Sequence, residues 1–510
     1  MKSFRRFAFL TTLATYFLIF MGGLVRVSGA GMGCPDWPKC FGRWIPPLSV
    51  TQLPPDINPH TFNLTLAWIE YFNRLCGMMV GILIVITAIL ALVHHRKVKR
   101  VLYPTLAAAV LVAFEGWQGS VVVASELEPF VVTVHMVLSL VIVSLLMYVG
   151  QESYHLEYSG GAEESVYPRK VRVWVGLLWL GGILVIILGS QVREAVSRIG
   201  EVYPLWSSAK WLAMVGLLSD LHLILGILLA LFTLFVGFSI LRLSHRPSIL
   251  VRQSVWGLIL LIAVQLVLGL VFAVVGMSPI LELFHLWIAA IFIGLALVLF
   301  SAVKRGREAL LERDRRFSIV LALALVAVVL AGTFGLAVIG QAEMSRTNLP
   351  ILDTVPSFEF TERSGAPFGQ MDMLGKINVV DFIFTRCKAV CPTMAVEMKS
   401  LYDLYAHSDL VQFVSIDVDP EHDSLPVMRE YLSNLGVTDN RWVFIRSEMD
   451  EVRSLSETGF KLSSDFPANH SPRFVLVDPQ GRIRGYYEHL DPAAMKRLRQ
   501  DIRAIARSFQ

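Results

Sequence analysis

The N-terminal part of the chain is a succession of long apolar runs broken by short polar loops. Runs long enough to cross a bilayer as a helix, roughly 20 residues, fall at Phe7–Val25, Leu66–Val93, Leu102–Ala124, Phe130–Gly150, Val173–Val192, Leu217–Leu241, Ser254–Val275 and Ile280–Val303. A ninth, Phe317–Gly340, carries twenty-four residues without a charge. The first run is long for a signal-peptide core, and Arg26 interrupts the approach to the small residues Ser28–Gly31, so it reads as a retained helix. After Gln341–Pro350 the pattern changes. Ile377–Phe384, Val411–Asp419, Trp442–Ile445 and Arg473–Asp478 are short apolar strands, and RIRGYYE follows a DPQG turn. Helices are expected near Pro426–Leu435 and Asp491–Phe509.

The loops fix an orientation. MKSFRR, HHRKVKR (His94–Arg100), Arg169 with Lys170 and Arg172, Arg242 with Arg246, and KRGREALLERDRR (Lys304–Arg316) all fall on one side of a nine-span arrangement. The positive-inside rule makes that side cytoplasmic. The N-terminus is then cytoplasmic, and the C-terminal domain lies on the outer, periplasmic face of a bacterial inner membrane.

The spans also repeat. His135 follows Gly119 by sixteen residues, as His285 follows Gly269, and VVTVHMVLSL corresponds to LELFHLWIAA. Asn73 stands four residues before Gly77, as His222 does before Gly226. Spans one to four therefore read as duplicated in five to eight, with a pseudo-two-fold axis along the membrane normal. The predicted fold class is a polytopic α-helical membrane protein with a C-terminal α/β thioredoxin-like domain. Its membrane part is an eight-helix bundle of two four-helix repeats plus a ninth anchoring helix. The predicted domains are 1–306 (repeats about 1–155 and 170–306), the helix 317–340, a linker 341–352, and 353–510.

Composition agrees: of 510 residues, 55% are hydrophobic and 17% charged, which excludes a wholly soluble protein. The net charge of +4 is spread over short loops, and no basic aromatic surface points to nucleic acid.

Of twelve histidines, only His135, His222 and His285 lie within apolar spans, each near its outer end. A lone membrane histidine serves helix packing, but His222 and His285 occupy facing positions in one repeat. Neutral imidazoles from two helices suit axial ligation of haem iron. Glu70 and Asn73 share a helical face, where the carboxylate either handles protons or faces water. Arg26, Arg74 and Arg193 sit at outer helix ends, as propionate contacts or as interfacial anchors. Cys34 and Cys40 share an outer loop, and Cys76 lies in the second span. Glu115, opposite Gln265 in the repeat, carries no assigned role.

These residues bring a resemblance. RVSGAGMGCPDWPKCFGRWIPP (Arg26–Pro47), EYFNR (Glu70–Arg74) and the spaced histidines resemble the haem A synthase family over residues 7–303. The resemblance implies an oxidoreductase that oxidises the C8 methyl of haem O to the formyl of haem A. It implies a haem b held by His222 and His285, a substrate haem held by His135, and Glu70 as the acidic functional residue. Cys34 and Cys40 would be a redox-active pair, with a structural disulfide as the other reading, and haem O synthase would be a neighbour. A homo-oligomer is compatible with it. One position departs: the family pattern has histidine where this chain has Asn73, and an amide is no substitute for an axial imidazole. Either His135 alone holds the substrate iron, leaving a face open for oxygen chemistry, or the half-site has lost its task.

In the C-terminal region, Cys387 and Cys391 stand between a strand and a helix with three residues between them. At a helix N-terminus such thiols favour thiolate and, with one imidazole, suit Cu(I). His470, in NHSPRF, is the natural third donor, while His407, His422 and His489 are expected to be solvated. VVDFIFTRCKAVCPTM, VSIDVDPEHDS, FKLS and HSPRFVLVDPQGRIRGYY resemble the Sco family of copper-handling proteins over residues 350–508. That resemblance implies copper binding by Cys387, Cys391 and His470, with delivery to, or thiol reduction of, the copper site of cytochrome oxidase subunit II. The combined expectation is a cytochrome oxidase maturation factor. The alternatives are a haem b electron conduit, with a degenerate substrate site feeding a thiol-disulfide reductase domain, and an outer domain that reduces thiols without binding metal.

Overall fold

The computed structural model describes residues 2–49, 52–54, 62–158, 167–243, 247–274, 276–305, 349–462, 464–465 and 469–509, without the side chains of 2, 3, 157, 158, 305, 464, 465, 469, 470, 493 and 507. The expected ninth span, Phe317–Gly340, and most of the expected linker lie outside the described residues.

Eight described helices are long and apolar enough to cross a membrane. They are α1 (Lys2–Ser28), α2 (Leu64–His94), α3 (Lys99–Ala124), α4 (Pro129–Tyr158), α5 (Arg169–Val202), α7 (Leu217–Leu243), α8 (Ile249–Val274) and α9 (Pro279–Arg305); a short α6 (Ser208–Met214) precedes α7. Their apolar composition leaves the first repeat to be held by close packing along neighbouring spans. Val80 and Ile84 of α2 pack with Ala108 of α3 and with Ile142 and Leu146 of α4. The matching core of the second repeat joins Val175 and Leu178 of α5, Val236 and Ile240 of α7, Val255 and Leu258 of α8, and Ile288 and Ile293 of α9.

The membrane unit turns on α9. Its apolar window is 61% buried where no other span exceeds 33%, so α9 is the central helix. It also joins the repeats, since Trp287 Nε1 donates to the Tyr16 carbonyl of α1 at 3.1 Å. The structure departs from the hydropathy reading at α5, which continues ten residues beyond Val192. The extension REAVSRIGEV keeps helix-forming residues after apolarity ends, and Arg193 bonds Ser197 one turn on. Hydropathy marks where the bilayer ends, which is a different boundary from the end of a helix.

The C-terminal unit is described by itself. Its strands are β1 (Asp353–Thr354), β2 (Glu359–Glu362), β3 (Pro367–Gly369), β4 (Ile377–Ile383), β5 (Val411–Asp417), β6 (Trp442–Arg446), β7 (Ser464–Asp465), β8 (Asn469–His470), β9 (Arg473–Val477) and β10 (Arg482–Glu488). Eight form one sheet in the order β1-β10-β9-β4-β5-β6-β2-β3, and β7 pairs with β8 apart from it. β4, β5 and β6 are parallel, with Val379 opposite Phe413 and Phe413 opposite Trp442. Every residue of β4 and β5 is buried, as expected of parallel strands covered on both faces. One face packs Met394, Met398 and Leu401 of the helix Cys391–Leu404 with Leu498 and Ile502 of the helix Pro492–Phe509. The other face carries Val380, Phe382, Val414, Ile416 and Phe460. Parallel strands joined by crossover helices, with paired cysteines where β4 meets its helix, make this a thioredoxin-like fold. The short strands β1, β2 and β3 were not legible in the hydropathy pattern.

Candidate functional site

The loop after α1 is tied to α2 by two side chains. Glu70 accepts the Cys34 backbone N–H through Oε2 at 2.7 Å and pairs with Arg74 through Oε1. Arg74 donates to the carbonyls of Asp36 at 2.6 Å, Lys39 at 2.7 Å and Cys34 at 3.1 Å. Their i, i+4 spacing puts both groups on one face of α2, which brings the charged heads together. Within the loop Cys34 and Cys40 form a disulfide, and both residues are fully buried. Gly33 is a steric requirement here, because an added Cβ would run into the Leu66 carbonyl of α2. Cys76 lies deeper in α2 and is buried.

Each membrane histidine keeps a buried Nδ1 without a hydrogen-bond partner, as does Oδ1 of Asn73. His222 of α7 lies against α5 at Gly189, where an added Cβ would come within 2.8 Å of its Cε1. His285 of α9 stands edge-on to Phe272 of α8, ring centroids 5.4 Å apart, and Gln265 of α8 donates to its carbonyl at 2.8 Å. Orphaned imidazole nitrogens in an apolar bundle fit a porphyrin iron, which takes neutral nitrogen donors without adding charge. His135 of α4 sits beside Glu115 of α3. Arg26 bonds the Ser190 hydroxyl at 3.1 Å and its carbonyl at 3.3 Å, and Arg193 pairs with Glu282 of α9.

In the C-terminal unit, β4 delivers the cysteine loop. Thr385 is fixed to Asp423 by its N–H at 2.7 Å and its hydroxyl at 2.5 Å, and Arg386 pairs with Asp419 at 3.0 Å. Cys391 opens the helix Cys391–Leu404 with proline at its first turn, and neither cysteine is in a disulfide. They differ electrostatically. Burial opposes ionisation of Cys387, but hydrogen bonds from the Cys391 side chain and from the amides of Cys391, Ala389 and Val390 outweigh it and hold that thiol below the usual cysteine range. Burial, reinforced by the Cys387 thiol, pushes Cys391 far up. Cys387 is therefore the thiolate-forming, half-exposed sulfur.

His470 falls in β8, paired with Ser464, and its side chain lies outside the described residues. Among the described residues no group of three His, Cys, Asp or Glu side chains is arranged to hold a metal ion. One expectation is corrected: His489 is 3% exposed rather than solvated. Both its ring nitrogens are engaged, near the Thr393 hydroxyl at 3.0 Å and the Pro472 carbonyl at 2.8 Å, which makes its burial tolerable. It bridges the start of the cysteine helix and the segment that follows His470. His422 is half-exposed and pairs with Asp419 at 2.8 Å.

Residues 5–297, more than half of the chain, match the COX15-CtaA family, described as a cytochrome oxidase assembly protein. The chain belongs to the COX15-CtaA family. Residues 348–507 match SCO1/SenC. A protein named SCO1 protein homolog in Bacillus subtilis is 26% identical over 164 residues, which are 31% of this chain and 85% of that protein. One named Heme A synthase in Shewanella oneidensis is 29% identical over 184 residues, 34% of this chain, so the chain spans about half (54%) of that relative. A crystal structure of an SCO1/SenC family lipoprotein from Bacillus anthracis is 28% identical, with a TM-score of 0.30, and covers 31% of this chain and 98% of that one. This member of the COX15-CtaA family is thus a multi-pass membrane protein with a C-terminal SCO1/SenC domain, in the service of oxidase assembly.

Sequence reading missed two features of these sites. Glu115 and His135 stand ten residues either side of Ser125, the turn between α3 and α4, so an antiparallel hairpin brings them level; that symmetry was the available signal. Asp381 was hidden within an apolar strand. It is fully buried in β4 of the SCO1/SenC domain with neither carboxyl oxygen hydrogen-bonded, and burial pushes its carboxyl up to about 7. An unfolded aspartate ionises near pH 4. Between about pH 4 and 7 the folded chain thus keeps a proton that the unfolded chain has released, and stability falls as pH rises through that window. Asp381→Asn is expected to stabilise this domain by about 2–4 kcal/mol at pH 8 and to have no effect at pH 4. Hydrogen exchange of the β4 and β5 amides measures it; equal protection of wild type and variant at pH 8 would refute it.

Proposed function

We propose that this protein matures cytochrome oxidase by two chemistries. The membrane repeats oxidise the C8 methyl of haem O to the formyl of haem A, and the SCO1/SenC domain delivers copper to, or reduces the thiols of, the copper site of oxidase subunit II. The observation that carries the reading is the pair His222 and His285 on one repeat, each with a buried orphaned nitrogen, with His135 at the matching position of the other repeat. His222 and His285 hold a haem b, and His135 holds the substrate haem. The resident haem supplies one-electron transfer when bound. The chain's own residues position and protect: Gly189 leaves room for the His222 ring, and Glu70 with Arg74 fixes the loop over the first repeat. Arg26 and Arg193 stand at the outer ends of α1 and within α5 as candidates for the propionates. Copper(I) is cargo, taken by Cys387, Cys391 and His470, with Cys387 as the thiolate that also attacks a disulfide. The protein lies in a bacterial inner membrane with its basic loops cytoplasmic and the SCO1/SenC domain outside.

Asn73 favours a second reading, in which the first repeat only scaffolds and the haem b passes electrons to Cys387 and Cys391. Extraction and chromatography of haems from membranes supplied with haem O separates the two. Haem A is expected with the wild-type chain. Abundant holoprotein without haem A, with activity appearing only in Asn73→His, would establish the conduit instead.

A further inference from the structure

Glu115 was left without a role by the sequence, and no other residue of the proposed sites explains it. Its Oε1 lies 3.3 Å from Nδ1 of His135, within ion-pair distance, and neither carboxylate oxygen has a hydrogen-bond partner. All three atoms are buried. The His135 side chain as a whole is nonetheless 40% exposed. The exposed part of this ring lies away from Nδ1, and its Nε2 is not among the buried unpartnered atoms. The imidazole is thus backed on one side by a carboxylate and free on the other.

The second repeat supplies a comparison within the same chain. Gln265 and His285 are offset from Glu115 and His135 by 150 residues each. There the side chain is a neutral amide, and it spends its N–H on the His285 carbonyl at 2.8 Å and leaves the ring alone. His285 Nδ1 has no partner. The duplicated positions have diverged from an amide on the backbone to an acid on the imidazole.

We propose that Glu115 is the positioning residue of the first-repeat haem site. It accepts the Nδ1–H of His135, fixes the tautomer that leaves the Nε2 lone pair free, and makes that nitrogen a stronger donor than His285. A carboxylate behind a metal-bound histidine orients the ring and raises its basicity, and removing one costs 10–100-fold in affinity in other metal sites. With Asn73 unable to supply a second imidazole, the single donor at this site is the one so reinforced. The inference rests on the assignment of His135 to a haem site made above.

The test is titration of haemin into purified full-length protein that already carries the second-repeat haem, followed by redox titration of the added equivalent. Glu115→Gln is nearly isosteric, and the absorbance of the second-repeat haem reports folding. The expected result is about 10–100-fold weaker binding of the added haemin and an upward shift in its midpoint potential, with Glu115→Asp restoring part of both and the second-repeat haem unchanged. Unaltered affinity and potential in Glu115→Gln, while His135→Ala abolishes the added equivalent, would overturn the role of Glu115 and leave the haem site standing. If His135→Ala also binds the added haemin normally, the reading of the site itself fails, and the inference with it. Loss of the second-repeat haem in Glu115→Gln would make the residue structural and likewise overturn the proposal.

Discussion

His285→Ala is expected to leave the purified protein without its resident haem. The second repeat offers two imidazoles from α7 and α9, each with a buried nitrogen unpartnered, and these residues would hold the proposed haem, so either substitution would remove one of its two protein donors. Alanine at 285 also opens a void beside Phe272, which the ring of His285 now fills edge-on. No other histidine among the described residues of α7, α8 or α9 can replace it. Absorbance of the detergent-extracted protein should lose its Soret band in His285→Ala and His222→Ala and keep it in His135→Ala. A full haem complement in His285→Ala would remove the second-repeat site from the scheme.

The second large effect is expected at Cys387. Replacing it with serine should reduce copper(I) retained by the full chain from about one ion to background, because a hard hydroxyl is a poor ligand for a soft monovalent ion. Cys391→Ser should do the same to copper, but the two differ in thiol chemistry. Hydrogen bonds hold Cys387 below the ordinary thiol range against the pull of burial, whereas burial raises Cys391. Alkylation of Cys387 should therefore persist as pH falls below about 8, where an ordinary cysteine slows. Cys391 should stay unlabelled throughout. Equal labelling of both sulfurs across that range would contradict the assignment of Cys387 as the thiolate.

The sequence disclosed what hydropathy and spacing encode. Eight spans, the duplicated Gly–His interval and the strand–cysteine–helix junction could all be read because each is a local or periodic pattern. What it hid depends on the third dimension. Glu70 looked like a carboxylate near a helix entrance, and only packing shows that its two oxygens are divided between the Cys34 amide and Arg74. Arg74 read as a propionate contact or an interfacial anchor, and only packing shows that it also holds three loop carbonyls. His489 resembled any surface histidine until Thr393 and Pro472 closed around it. Asp381 was concealed by its neighbours, since one acid in an apolar strand leaves the alternation signal unchanged.

With His285 as a haem ligand, as proposed, the buried position of α9 would couple biosynthesis of the protein to its cofactor supply. The helix that offers His285 also holds Trp287, whose indole binds the first repeat through Tyr16 and packs on Phe20 at 5.5 Å between ring centroids. The proposed iron ligand and the fastening between halves are two residues apart, a little over half a helical turn. A porphyrin that binds only the native arrangement stabilises it by mass action, and the gain would reach the joint between the repeats. Cells starved of haem should therefore accumulate less of this protein, cleared by membrane proteases before it is ever active.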